Sequence, residues 1–343
     1  MRLKQANDIL IIFVLQCALL AFFVAQIPLH RMYGFADSGE YQRIALFILG
    51  KSGLAGGYAQ FFPPGLSAAV AVLYLATNNI DVASMIANFL FSIGALFVFL
   101  RLSKSIRLTV LLMFIPYWLI ISFSTLADAS FIFLEIAVLA LLMDKRYSLS
   151  LLVAAVSTMF RYDGLLVIGA VFLVLLCGGD FRKKFLFSPL LAAALILGWG
   201  QLAFGDPLVS FKAHAGEALN MAYLISSANT QVSLGFVGLA KVGYVILAIL
   251  ISLLTIVVAW RKFGQCHPFF VLATVFTLAD TLLFPILIFP DYARLYLSIA
   301  PITLLVFRDL LQKRFLLILI VLAPLGVFVA YVFWTVTFSV PFL

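Results

Sequence analysis

The chain has 343 residues, of which 65% are hydrophobic and only 10% charged, and its formal net charge is +8. A mean hydropathy of +1.19, with repeated apolar runs long enough to cross a hydrocarbon core of roughly 30 Å, excludes a water-soluble enzyme and predicts an integral membrane protein. The positive charge does not mark a nucleic-acid binder, because the basic residues form short clusters between hydrophobic runs and not one solvated face.

In chain order, the first apolar run, Ile9 to Leu29, is as long as a spanning helix, and its flanks lack the small-residue pattern of a cleaved signal. A retained anchor is expected. Residues 33–66 follow as YGFADSGEYQRIALFILGKSGLAGGYAQFFPPGL, a polar loop in an oily chain. Asp37 is followed by Glu40, Tyr41, Ile44 and Ala45, a spacing that predicts a short amphipathic helix lying along the membrane interface. Asp37 either caps that helix or serves as general base for an acceptor hydroxyl, a task that suits a carboxylate facing water against low-dielectric walls. Phe61, Phe62, Pro63 and Pro64 return the chain to the bilayer, while Gly53, Gly56 and Gly57 have none of the spacing of a phosphate-cradling loop. The stretch from Phe62 to Ala76 is apolar but short, and reads as a re-entrant or half-inserted helix.

Six basic clusters punctuate the remaining runs: Arg2/Lys4, Arg101/Lys104/Arg107, Lys145/Arg146, Arg182/Lys183/Lys184, Arg261/Lys262 and Arg308/Lys313/Arg314. If all are cytoplasmic, as the positive-inside rule demands, each stretch between clusters must leave that side and return. The outer loops then fall at 30–80, 124–127, around 161–163, 205–232 and 290–294, giving about eleven crossings with the amino terminus inside. The apolar runs on either side of Arg161, Tyr162 and Asp163 read as a tilted hairpin whose polar turn lies near the outer interface, since charge at mid-bilayer is costly. The expected fold is therefore all-α: one polytopic transmembrane domain over 1–343, with interfacial helices in the first outer loop (30–80) and a second large outer loop at 205–232.

That topology gathers Asp37, Glu40, Asp81, Asp128, Asp163, Asp206, Glu217 and Asp291 on the outer side, along with Arg31, Arg43, Lys51, Arg161, Lys212, His214 and Arg294. Arg161 and Arg294 either pair internally with Asp163 and Asp291 or capture an anion, for which the planar guanidinium fork suits phosphate oxygens. Lys212 and His214, in GDPLVSFKAHAGEALNMAY, are either solvated or part of the same site. Asp128 and Tyr41 complete the expected substrate-binding set. Glu135, Lys241 and Asp280 lie inside apolar runs, where such residues either serve function or lock helices together by hydrogen bonds. No string of acids and His along one helix suggests a proton pump. Cys17, Cys177 and Cys266 are far apart in sequence, with neither metal-ligand spacing nor a disulfide framework. Neither a metal nor a cofactor is expected.

The ordered segments FADSGEYQRIA, YAQFFPPGL, STLADASFIFLEIAVLALL, RYDGLL, GDPLVSFKAHAG and FPDYARLYLSIAPITLL resemble the GT-C membrane glycosyltransferases. The likeness is nearest to the branch holding the second mannosyltransferase of GPI-anchor synthesis and its prokaryotic relatives, and it covers almost the whole chain. The resemblance implies inverting transfer of mannose or a similar sugar from a polyprenyl-phosphate donor to a hydroxyl-bearing acceptor on the extracytoplasmic face. It makes Asp37 the first-loop base, Phe61, Phe62 and Pro63 the motif closing that loop, and Arg161 and Arg294 the later basic positions. Where the family often has Trp before this Asp and His three residues after it, this chain has Ala36 and Glu40, so Glu40 either shares the acid role or binds a sugar hydroxyl. A transporter or lipid flippase is the main competing reading, and a non-enzymatic assembly subunit is the third.

Overall fold

A computed structural model describes residues 2–33, 36–54, 58–216, 236–283 and 297–336, and in these the regular structure is helical, with no strand. The first five helices are α1 (Arg2–Gln26), α2 (Leu29–Tyr33), α3 (Ala36–Ile48), α4 (Gly65–Thr77) and α5 (Ile80–Ser103), with a 3₁₀ turn at Ala59–Phe61 before α4. There follow α6 (Ile106–Met113), α7 (Pro116–Ser122), α8 (Ala127–Met143), α9 (Tyr147–Ser157), α10 (Gly164–Cys177) and α11 (Phe187–Phe204). A helical stretch through residues 209–216, α12, precedes α13 (Phe236–Phe263), α14 (Pro268–Leu283), α15 (Ala300–Val306), α16 (Arg308–Lys313) and α17 (Phe315–Val336).

The ends of these helices are written locally. Asn79 opens α5 by accepting hydrogen bonds from the backbone N–H groups of Asp81 and Val82 at 3.0 and 3.1 Å, so two otherwise orphaned donors are met. Pro116 occupies the first turn of α7, where its missing N–H costs nothing. Gly205, at φ +70°, closes α11 in the left-handed conformation that a side chain would strain.

Among the described residues, five helical segments are long and apolar enough to cross a membrane: Ala6–Gln26, Ile80–Ser103, Lys183–Phe204, Ile246–Phe263 and Phe315–Val332. The number rises to six if α7 and α8, bent by 110° at their break, count as one span. This is a helical membrane protein. The shorter apolar helices include α4, α9 and α10. At ~1.5 Å per residue a 13-residue helix such as α4 reaches about 20 Å, short of a hydrocarbon core. The short apolar helix expected within Phe62 to Ala76 is α4, and the polar turn expected around 161–163 is the 158–163 connection between α9 and α10.

At the centre of the molecule α5 packs on α4 and α8, and α8 on α9. The main core joins Leu96, Phe99, Trp118, Phe131, Leu139, Val171 and Leu272. A smaller cluster of Tyr41, Ala45, Leu66, Val70, Ala71, Ala83, Ala87 and Ala127 seats α3 and α4 against α5. Its alanines let α3 and α4 approach α5 closely, as small residues do where helices pack.

The turns that carry the basic clusters meet at one end of the bundle. Arg101 bonds Asp144 at 3.1 Å, Tyr147 donates to Asp180 at 2.8 Å, and the Cys266 thiol lies 3.4 Å from the Cys177 carbonyl oxygen. Lys262 bonds Asp309 at 3.0 Å, and the Gln312 amide donates to Ser105 Oγ at 2.8 Å. These contacts link neighbouring turns into a ring, so five of the six clusters share one end, as the parity of the runs requires. They also bring Cys177 and Cys266, 89 residues apart in sequence, next to each other as free thiols.

Candidate functional site

The opposite end collects the polar segments singled out from sequence. Asp37 lies half-buried in the first turn of α3, where its charge also suits the positive end of the helix dipole. Tyr41 follows one turn later on the same face, nine-tenths buried or more, with its ring edge-on to Phe62 at 5.0 Å. The Glu40 carboxylate is held by the Arg43 guanidinium at 2.6 Å, three residues along the same helix. That pairing gives Glu40 a partner within α3.

Arg161 is the hub. Its Nη1 donates to Asp128 Oδ1 at 2.9 Å, its Nε donates to Asp163 Oδ2 at 2.8 Å, and its guanidinium lies 5.9 Å from the Phe131 ring centre. Asp128 and Phe131 come from the first turn of α8, whereas Arg161 and Asp163 come from the α9–α10 turn, so the ion pair joins two hairpins. Burial works against the arginine charge, but the fields of Asp163 and Asp128, with Tyr41 also in electrostatic reach, outweigh it and raise its pKa. The internal ion pair open at the level of the sequence is formed, and it recruits Asp128 as well as Asp163.

The first loop is pinned to this turn through the backbone. The Gly65 N–H donates to the Met159 carbonyl at 2.6 Å, and a Cβ at Gly65 would stand only 2.5 Å from that oxygen. No other residue type fits such an approach. Gly164, at the start of α10, is equally confined, with the Thr158 backbone nitrogen 2.5 Å from where a Cβ would sit. The glycine of FFPPGL therefore serves close packing of the first loop on the α9–α10 turn, and the glycine of RYDGLL close packing within that turn.

The stretch beyond α11 closes the arrangement. Tyr162 donates its hydroxyl to Ser210 Oγ at 2.8 Å, and the Ser210 carbonyl receives the Nδ1–H of His214 at 2.8 Å. The His214 ring packs edge-on to Phe61 at 5.1 Å and to Tyr162 at 5.3 Å. Donation from Nδ1 leaves Nε2 as the lone-pair nitrogen. Lys212 is turned away into an exposed pair with Asp206 at 2.7 Å, and that hydrogen bond holds the Asp206 carboxyl below the usual range.

Four segments far apart in sequence thus converge: 37–65, 128–131, 159–164 and 206–214. Arg294 and Asp291 lie outside the described residues, as do residues 217–232 of the second outer loop and the side chains of Lys241 and Asp280. Among the described residues no three His, Cys, Asp or Glu side chains gather as a metal site. Sequence reading passed over Ser210 and Gln42. Nothing in the sequence signals the Ser210 contacts, which depend on tertiary approach. Gln42, whose amide bonds Asp81 at 2.8 Å and Ser84 at 3.2 Å, lies in the α3 pattern but looks like any polar face residue until α5 is placed beside it. No protein-family model, curated protein or solved structure matches the chain.

Proposed function

We propose that this protein is an inverting glycosyltransferase that moves a sugar, mannose or one like it, from a polyprenyl-phosphate donor to a hydroxyl of a lipid-linked, glycan or protein acceptor. The observation that carries the reading is the convergence of the four segments around Arg161, at the end of the bundle away from the basic clusters. Segments that resemble GT-C motifs only piecewise have a common physical destination, and it is the end that holds Asp37, Tyr41, Asp128 and His214.

In this reading the protein is a multi-pass membrane enzyme of GT-C-like fold, with the amino terminus and the basic end in the cytoplasm and the Arg161 end outside. Its crossings number about eleven once α9, α10, α14, the segment ending in α15 and the broken α6–α8 region, taken as two, are counted with the longer helices. The donor's lipid tail partitions into the bilayer beside the short helix α4, and the membrane itself concentrates it. Asp37 takes the proton of the acceptor hydroxyl as that oxygen attacks the anomeric carbon, and the departing polyprenyl phosphate carries the electron pair of the broken bond. Arg161 orders Asp128 and Asp163 for sugar hydroxyls and offers its remaining N–H groups to the phosphate, with Arg294 as the second cation. His214 Nε2 accepts a hydrogen bond from substrate.

The test is incubation of the purified protein in bilayers with a panel of polyprenyl-phosphate sugars and identification of the glycosylated product. Transfer from one donor is expected. Failure with every donor and acceptor class, alongside vectorial movement of a lipid or solute, would replace the reading with transport.

A further inference from the structure

The polar face of α5 continues far past the candidate site. Asp81, Ser84, Asn88 and Ser92 recur at spacings of three, four and four residues, which on an α-helix make one narrow stripe. Ser84, Asn88 and Ser92 are fully buried. At ~1.5 Å per residue the stripe runs about 16 Å from Asp81 to Ser92, roughly half a hydrocarbon core.

Both ends of the stripe are met by a glutamine from another helix. Gln42 of α3 donates to Asp81 Oδ1 and Ser84 Oγ, and Gln16 of α1 donates to Ser92 Oγ at 3.1 Å. Between them stands Asn88, whose amide oxygen and nitrogen are both buried without a protein hydrogen-bond partner, as is Gln16 Oε1. The hydroxyls of Ser38 on α3 and Ser67 on α4 share that condition. An amide left with no partner inside a bilayer is among the costliest arrangements a helix can carry. Small residues stand next to it, with Ala83 and Ala87 on α5 itself buried in the same region.

We propose that this stripe is a binding site for water, a short file held by Asn88 and the Gln16 carbonyl oxygen and joined through Ser84 and Gln42 to the Asp81 end. The chemistry selects water over the other candidates. A cation would satisfy the oxygens and leave the Asn88 N–H groups facing it, and the buried length carries no charge to hold an anion. Water both donates and accepts, and it needs two to four polar partners, which the stripe offers. The file brings hydrogen-bonding solvent to mid-membrane depth and gives a proton a path along α5 to the helix that carries Asp37. It does not depend on the glycosyl-transfer reading.

The test scans cysteine along α5 in a background whose native cysteines are replaced by serine. Thiol reagents of the methanethiosulfonate type react with thiolate, which forms only where water reaches. Cysteines at Ser84, Asn88 and Ser92 are expected to react at least about tenfold faster than cysteines at Ala83 and Ala87, with a helical period. Equal rates on both faces overturn the proposal. Because a variant can fail to fold, the wild-type protein is also irradiated in ¹⁸O-labelled water. Label at Met85 and Phe89 beside the stripe, with none at the fully buried Met113, is expected, and absence of label at all three overturns the proposal.

Discussion

The two ends of the bundle hold their charges differently. At the basic end, Arg101 and Asp144 pair with 70% and 46% of their side chains exposed, and Lys262 with Asp309 at 40% and 74%. At the other end, Arg161 and Asp128 pair at 18% and 8%. Exposed pairs are screened and contribute little, so in the proposed orientation the basic end acts through its summed charge. A mostly buried arginine held between two carboxylates is an investment of another kind, because removing either partner strands a charge. The contrast separates an end that acts through charge from an end that holds a geometry.

The largest break in that contrast comes from Arg161→Ala. Loss of the partner of Asp128 and Asp163 is expected to destabilise the protein by about 3 kcal/mol or more, read as a lowered midpoint in reversible unfolding from lipid or detergent. Arg161→Lys recovers only part, since one ammonium cannot span both carboxylates as the fork does. An unchanged midpoint for the alanine variant would put the two ends on the same footing.

Next in size are the glycines. Gly65→Ala pushes a methyl against the Met159 carbonyl and Gly164→Ala pushes one against the Thr158 nitrogen. Each is expected to cost about 1–3 kcal/mol, while Gly198→Ala on α11, with open space around it, is expected to be silent or mildly stabilising. The same unfolding measurement ranks the three.

The smallest effects belong to the basic end. Arg101→Ala is expected to shift stability by no more than about 1 kcal/mol. Lys262 hydrogen-bonds Asp309 and holds its carboxyl below the usual carboxylate range. A carboxyl depressed in the folded state stabilises the fold above its unfolded pKa and loses that contribution as pH falls through the folded value. Protection of the α16 amides, with the intrinsic pH dependence of exchange divided out, should therefore be flat from neutral pH down to about pH 5 and fall below about pH 4 relative to the Asp309→Asn variant. The same fall in the variant would remove Asp309 as its cause.

How much of this the sequence discloses depends on what each feature rests on. Local pattern and charge parity are written in the chain: α3 starting beside Asp37, the short α4 after Pro63 and Pro64, the polar turn at Arg161, and the common end of the basic clusters. The internal pairing of Arg161 with Asp163 was one of two open alternatives, because a two-residue separation permits it without requiring it. Asp128 as second partner, Ser210 as the link between Tyr162 and His214, and the meeting of Cys177 with Cys266 arise from tertiary approach, which no local pattern encodes. The stripe from Asp81 to Ser92 was legible by its period, yet three of its four members are neutral, and attention to charge alone passes over them.

The most direct measurement compares one carboxylate from each end in a transfer assay with polyprenyl-phosphate sugars. Asp37→Asn is expected to lower transfer by about 10²–10⁴-fold in protein that remains folded, and Asp144→Asn, at the basic end, to leave it within about twofold of wild type. Undiminished transfer by Asp37→Asn, or an equal loss in both variants, would contradict the placement of the chemistry at the Arg161 end.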